Sequence, residues 1–158
     1  MNPARIEAMR KAMVDSQLRT NGVNVAWILE AMGSTPREAF VPAEYAATAY
    51  NDRSVPLGEG RYLSPPLATA LMLKEAAVEP EDKVLLVGDA GGYVAALLAQ
   101  RTKNLRVSVT AAGSLEGAPY TLIIIDGAIG HLPDALVQQL ADGGRIVTGL
   151  CEGPVSRL

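Results

Sequence analysis

Five residues with almost no side-chain bulk, Gly88-Asp89-Ala90-Gly91-Gly92, interrupt an otherwise apolar stretch of this 158-residue chain. Glycine at that density lets a backbone come close to a bound group, because no Cβ stands in the way. Before it, Lys83-Val84-Leu85-Leu86-Val87 is short and Val-rich and predicts a buried parallel strand. After it, Tyr93-Val94-Ala95-Ala96-Leu97-Leu98-Ala99-Gln100 is made of good helix formers and predicts a helix. A strand that enters a helix through a glycine loop offers the free N–H groups of the helix start to a ligand, as in nucleotide sites. The same residues also suit a tight strand-to-helix turn that binds nothing.

What the loop lacks narrows the ligand. A G-x-G-x-x-G pattern fails at two of its three positions, where Ala90 and Tyr93 stand, and no Gly-Lys-Ser/Thr follows. Asp89 would repel a pyrophosphate. It would tolerate an ammonium and a sulfonium, and S-adenosylmethionine carries both. A second strand, Thr121-Leu122-Ile123-Ile124-Ile125, also ends in Gly/Asp chemistry, at Asp126-Gly127. Ligands of open parallel sheets sit beyond the carboxyl ends of the strands, so both loops are expected at one rim.

The elements that must position these loops can be traced in order. Asn2 and Pro3 start an amphipathic helix over 3–19, and Asn24 caps a second over 25–32. Thr35-Pro36-Arg37-Glu38 has the form of a capping box, followed by a helical piece over 43–50. Residues 51–62 form a polar loop. Ser64, ahead of Pro65-Pro66, suits the cap of a helix over 66–78. Further on come a strand over 106–110, a helix over 133–141 and a strand over 145–148. Residues 151–158 have no clear pattern. Strands alternating with helices predict an α/β fold with a doubly wound, mainly parallel sheet. One domain is expected, with a helical N-terminal part over 1–62 and a Rossmann-like core over 63–158.

Composition excludes several classes. Hydrophobic residues make up 49% and charged ones 20%, which suits a globular chain. A net charge of −3 with scattered Lys and Arg gives no footprint for nucleic acid. No apolar run is long enough to span a membrane. A single cysteine, Cys151, and the absence of a secretion signal fit a cytoplasmic setting. His131 is the only histidine and reads as a loop residue, so no metal is expected. Asp15, Gln17 and Arg19 read as polar surface or packing contacts, and Trp27 as core.

From Met13 to Val147 the chain resembles the protein-L-isoaspartate O-methyltransferase family. The likeness is carried by Met13-Val14-Asp15-Ser16-Gln17-Leu18-Arg19 with Gly22-Val23, by Ala31-Met32 and Pro36-Arg37-Glu38-Ala39-Phe40-Val41-Pro42, and by Ala49-Tyr50-Asn51-Asp52 and Val55-Pro56-Leu57-Gly58-Glu59-Gly60-Arg61. It continues through Leu63-Ser64-Pro65-Pro66, the glycine loop, Ala118-Pro119-Tyr120 and Gly143-Gly144-Arg145-Ile146-Val147. The resemblance implies methyl transfer from S-adenosyl-L-methionine to the free α-carboxylate of isoaspartyl residues in damaged peptides and proteins. It implies that Gly88, Gly92 and Tyr93, which keep the family's loop pattern, contact the donor; the shared rim adds Ala90, Gly91 and Asp126 as donor contacts, and Asp89, an acid new to the pattern, is read as a partner for the donor ammonium. It further implies that Leu63, Ser64 and Pro65 face the acceptor, with the Ser64 hydroxyl orienting it.

The chain also departs from the family. Leu86 stands where an acid is usual, Ala90 replaces the loop's second glycine, and Thr121 replaces an Asp after Tyr120. Residues 94–117 have room for one helix and one strand but not for a further strand–helix pair, so the acid that binds the donor ribose is missing and Glu116 is a solvated charge. No terminal antiparallel hairpin is expected either. The truncated sheet would then leave edges for a second copy of the chain to cover. The alternatives to an active enzyme are a relative that binds peptides without methylating them, or a shortened form of a longer enzyme.

Overall fold

The computed structural model describes residues 2–88, 90–110, 116–152 and 155–157. Asp89 lies outside the described residues. The N-terminal helix α1 (Pro3–Ala12) starts as expected, with the Asn2 side chain accepting from Ala4 N and proline at the first position. It does not simply run on to residue 19. Met13–Leu18 is wound as a π-helix, which turns Met13, Val14 and Leu18 inward together. Helix α2 (Ala26–Ser34) follows without a side-chain cap, so Asn24 does not serve as one.

Two further local expectations change. The capping box does not form: Thr35 ends α2, and its hydroxyl accepts from Gln100 Nε2 at 2.8 Å. Arg37–Phe40 and Ala43–Thr48 are 3₁₀ turns. The polar loop contains a β-hairpin, β1 (Val55–Gly58) against β2 (Arg61–Leu63). Its two-residue turn has Glu59 at φ 54° and Gly60 at φ 72°, the left-handed pair that matches strand twist.

After helix α3 (Pro66–Ala76) come β3 (Lys83–Val87), α4 (Tyr93–Leu98), β4 (Asn104–Ser108), β5 (Tyr120–Ile129), α5 (Asp134–Val137), β6 (Leu140–Glu152) and β7 (Val155–Arg157). The sheet order is β4-β3-β5-β6-β7, parallel except for the last pair. This is the expected α/β class. The predicted helix over 133–141 is only four residues long, because Leu140 already pairs with Tyr120 in the sheet. Against the expectation of no terminal hairpin, β6 and β7 pair antiparallel, Leu150 with Arg157 and Glu152 with Val155, because β6 runs on to Glu152 and leaves room for a short returning strand.

The two faces of the sheet are covered unequally. Val84, Leu86, Leu122 and Ile124 face a large core shared with α1 to α4. Leu85, Val87, Ile123 and Ile125 face a small one closed by Tyr120 and Leu136, with Leu132, Leu140 and Ile146 alongside. Alternation of this kind follows from the two-residue period of a strand. Leu86 is fully buried on the larger face.

At the N-terminal ends of the strands, Asp82 gathers four segments. It accepts from Arg145 Nη2 at 2.7 Å, Thr121 Oγ1 at 2.7 Å and Glu79 N at 2.8 Å, while its carbonyl accepts from Thr102. Arg145 also donates to the carbonyls of Ala76 and Ala77 at the end of α3. Thr121 is therefore part of a structural hub at the rim opposite the glycine loop. Its departure from the family pattern is not an erosion of the donor site.

Candidate active site

The glycine loop leaves β3 at Gly88, whose φ is +93° and whose N–H donates to Ser108 O at 2.8 Å. A Cβ at Gly88 would stand 3.3 Å from the Asp126 carbonyl oxygen. The two glycine- and aspartate-bearing segments are thus neighbours at one rim. Asp126 is not a strand end, because β5 continues past it to Ile129 with a register shift between Ile124 and Ala128.

The loop then packs downward. Ala90–Gly92 makes one 3₁₀ turn, with Gly91 at φ 78° and Gly92 at φ 83°. A Cβ on Gly91 would meet the Phe40 carbonyl and Leu57 Cδ1, both at 3.1 Å. The hairpin and the Phe40 segment therefore sit directly against the loop, and only glycine fits.

Tyr93 does not reach the rim. Its side chain is fully buried, with its ring 5.4 Å from that of Phe40 and 4.9 Å from the Arg37 guanidinium carbon. Burial pushes its hydroxyl up to about 12, against the pull of Arg37. Leu63 is likewise buried, pairing with Val55 in the hairpin. Neither side chain can touch a ligand at the rim.

Beside the loop lies a cleft of about 700 Å³ lined by Ser64, Pro65, Asp52, Met72, Asp126 and Gly127, among others. It separates the start of α3 from the ends of β5 and β6. Ser64 does not cap α3. The N-cap position is Pro65, and the free Leu67 N–H is satisfied by Asp52 Oδ1 at 3.1 Å. The Ser64 hydroxyl makes no hydrogen bond to the described residues, while its carbonyl accepts from Arg37 Nη2 at 2.5 Å. A half-buried hydroxyl uncommitted to the fold is available for a substrate.

Sequence reasoning did not find Asp52 or Arg37. Asp52 is fifteen positions from Leu67, whose N–H it accepts from, so no local pattern betrays its capping role. Arg37 is fully buried, donates to Ala49 O at 2.6 Å, and is lowered from its ordinary pKa by burial, with Asp126 among the groups opposing that shift. Its place in a conspicuous Pro-Arg-Glu-Ala-Phe-Val-Pro run was the available signal.

The family model for protein-L-isoaspartate(D-aspartate) O-methyltransferase (PCMT) matches residues 8–115 and 103–154. The chain belongs to the protein-L-isoaspartate O-methyltransferase family. A protein-L-isoaspartate O-methyltransferase of Methylorubrum populi is 38% identical over 89% of this chain and 79% of its own length. One from Protochlamydia amoebophila is 36% identical over 85% and 77%. Among solved structures, a Plasmodium falciparum chain described as a beta-aspartate methyltransferase (PCMT), in complex with S-adenosyl-L-homocysteine, superposes with a TM-score of 0.75 at 16% identity. It covers 96% of this chain and 86% of that one. A second, a protein-L-isoaspartate O-methyltransferase, gives 0.71 at 21% identity, and this chain spans only 55% of its length.

The deletion is visible in these matches. The two family-model segments overlap over residues 103–115, so one stretch of this chain answers to two stretches of the family pattern. The Methylorubrum match runs over 167 positions but uses 89% of a 158-residue chain, leaving about 26 positions occupied in the relative alone. In the fold, 11 residues carry the chain from β4 across to β5 with no helix among those described. Glu116 ion-pairs with Arg106 at 3.3 Å on the surface.

Proposed function

We propose that the chain transfers the methyl group of S-adenosyl-L-methionine to the free α-carboxylate of isoaspartyl residues in damaged peptides and proteins, working in the cytoplasm. The family match supports this activity, and the relatives that carry the enzyme's name do not favour a binding-only reading. The observation that carries the residue assignment is the Ser64 hydroxyl, held in the cleft without a structural hydrogen bond because Asp52 caps α3 in its place.

The residues present suit the donor. The open backbone of Gly88 and the Asp126 segment adjoin at the rim, and the cleft has room beside them. Gly88, Gly91, Gly92 and the backbone at Ala90 would hold the donor, with Asp126 alongside, and Asp89 is assigned the donor ammonium. Tyr93 contributes through the loop it anchors. When bound, S-adenosylmethionine supplies a methyl carbon already activated by its sulfonium. An α-carboxylate has a pKa of ~3.5 and is ionised at neutral pH, so no residue need act as a general base. The protein's contribution is to orient the carboxylate and exclude water. Ser64 Oγ donates to one carboxylate oxygen, Leu63 offers backbone groups, and Pro65 shapes the wall. Among the described residues no strand pairs with the outer edge of β4, and a second copy of the chain would pair there.

The test is transfer of labelled methyl to an isoaspartyl peptide and to its aspartyl twin. The expected result is methylation of the first alone, with kcat lowered at least tenfold by Ser64→Ala. Equal labelling of both peptides, or a Ser64→Ala chain as active as the natural one, would refute the assignment.

A further inference from the structure

Arg37 is the bulkiest of the side chains that the fold buries completely. A guanidinium carries five N–H donors and keeps its charge, so burying it is costly unless a carboxylate compensates. Among the described residues none is hydrogen-bonded to it, and Asp126 acts on it only as an electrostatic neighbour. Its Nε donates to Ala49 O at 2.6 Å and its Nη2 to Ser64 O at 2.5 Å, while its Nη1 has no partner. An apolar side chain of similar volume would fill the space without these costs. What it could not do is hold two carbonyls at once.

Those carbonyls matter because of where Ser64 lies. It follows β2 and is succeeded by Pro65 and Pro66, neither of which has a backbone N–H to tie the chain down. The first bond of α3 that reaches back toward it is Thr69 N to Pro65 O. Among the described residues, Arg37 is the donor that fixes the Ser64 carbonyl, and the orientation of Arg37 is itself fixed by Ala49 O and by the Tyr93 ring at 4.9 Å. Tyr93 directly follows the glycine loop.

We propose that Arg37 is a positioning residue for methyl transfer, whose fork-shaped guanidinium sets the angle at which Ser64 presents its hydroxyl to the acceptor carboxylate. This rests on the methyl-transfer reading and deepens it. The planar fork is essential. A lysine keeps the charge but has a single nitrogen, and cannot lock two carbonyls in one plane.

The experiment is a double-mutant cycle of Arg37→Lys and Ser64→Ala, read as kcat on an isoaspartyl peptide, with affinity for S-adenosylhomocysteine measured beside it. Arg37→Lys should lower kcat at least tenfold and leave S-adenosylhomocysteine affinity within threefold. In the Ser64→Ala chain the same substitution should change kcat less than twofold, because the group it positions is gone. Losses that multiply, or an Arg37→Lys chain within twofold of the natural one, overturn the inference. Absence of transfer by the natural chain overturns the parent reading, and this one with it, before any variant is made. Should Arg37→Lys not fold, the natural chain labelled with ¹⁵N-arginine decides. The Arg37 Nε–H resonance should shift on saturation with the isoaspartyl peptide and not with its aspartyl twin, and a resonance that stays still under both overturns the proposal.

Discussion

Replacing Gly91 by alanine should weaken both the fold and its hold on the donor, and the structure gives the size of each part. At φ 78° the backbone is left-handed, which costs an L-residue about 1–2 kcal/mol. The added methyl would stand 3.1 Å from Leu57 Cδ1 and from the Phe40 carbonyl oxygen. Leu57 is a side chain and can turn away. The Phe40 carbonyl is backbone and can move only with its segment, so overpacking adds about 1–2 kcal/mol more. A total near 3 kcal/mol lowers Tm by about 6–12 °C in a protein of this size. The control is Gly60→Ala at the hairpin tip, where φ is also positive but nothing lies within 4 Å of the new methyl. It should lose about 1 kcal/mol and about 2–4 °C. If the loop shifts to relieve the contact, the cost moves from stability to binding. Calorimetric titration should then show S-adenosylhomocysteine bound at least tenfold more weakly by Gly91→Ala and unchanged by Gly60→Ala. Matching Tm values and matching affinities for the two variants would refute the packing assignment of the loop.

Three further outcomes are expected. Asp82→Ala should cost about 3 kcal/mol by urea unfolding, because it leaves the partly buried Arg145 guanidinium without its carboxylate. Burial alone would raise the Asp82 carboxyl, but the bonds from Arg145, Glu79 N–H and Thr121 more than offset it and hold it below its ordinary value. Its stabilisation is therefore present at neutral pH and lost as pH falls below the usual carboxylate range toward its lowered folded value, so Asp82→Asn should flatten the acid limb of a stability–pH curve. Asp52→Ala should remove the α3 cap and about 1 kcal/mol, with Asp52→Asn retaining most of it in thermal unfolding. Tyr93→Phe should leave Tm nearly unchanged, since the buried hydroxyl it removes makes no well-formed hydrogen bond and interacts with Arg37 only weakly, and should abolish a tyrosinate absorbance that titrates only near pH 12.

The alternation of the chain made the sheet legible. Val84 and Leu86 against Leu85 and Val87 announce a strand buried on both faces, and Gly88 to Gly92 announce the loop that follows. The same local rules failed where partners are remote in sequence. Ser64 ahead of two prolines looks like a helix cap, yet Asp52, fifteen residues before the Leu67 N–H that it accepts from, fills that role, and no local cap pattern points to it. Thr121 looks like damage to a donor site until the fold places it beside Asp82 at the opposite rim. Glu59-Gly60 between two short runs was a hairpin signal, obscured by the polar residues around it. Leu140 belongs to the sheet and not to a helix, because pairing with Tyr120 outweighs its helical propensity.

The outer side of β4, unpaired among the described residues, also bears on how the molecule behaves in company. A parallel edge that ends beside Val107 at 46% and Val109 at 89% exposure is a template on which a further strand can pair. The outward Arg106, ion-paired with Glu116, and the neighbouring Lys103 place charge along this margin. Two copies pairing there would bring like charges together, so added salt, which screens them, should favour the pairing.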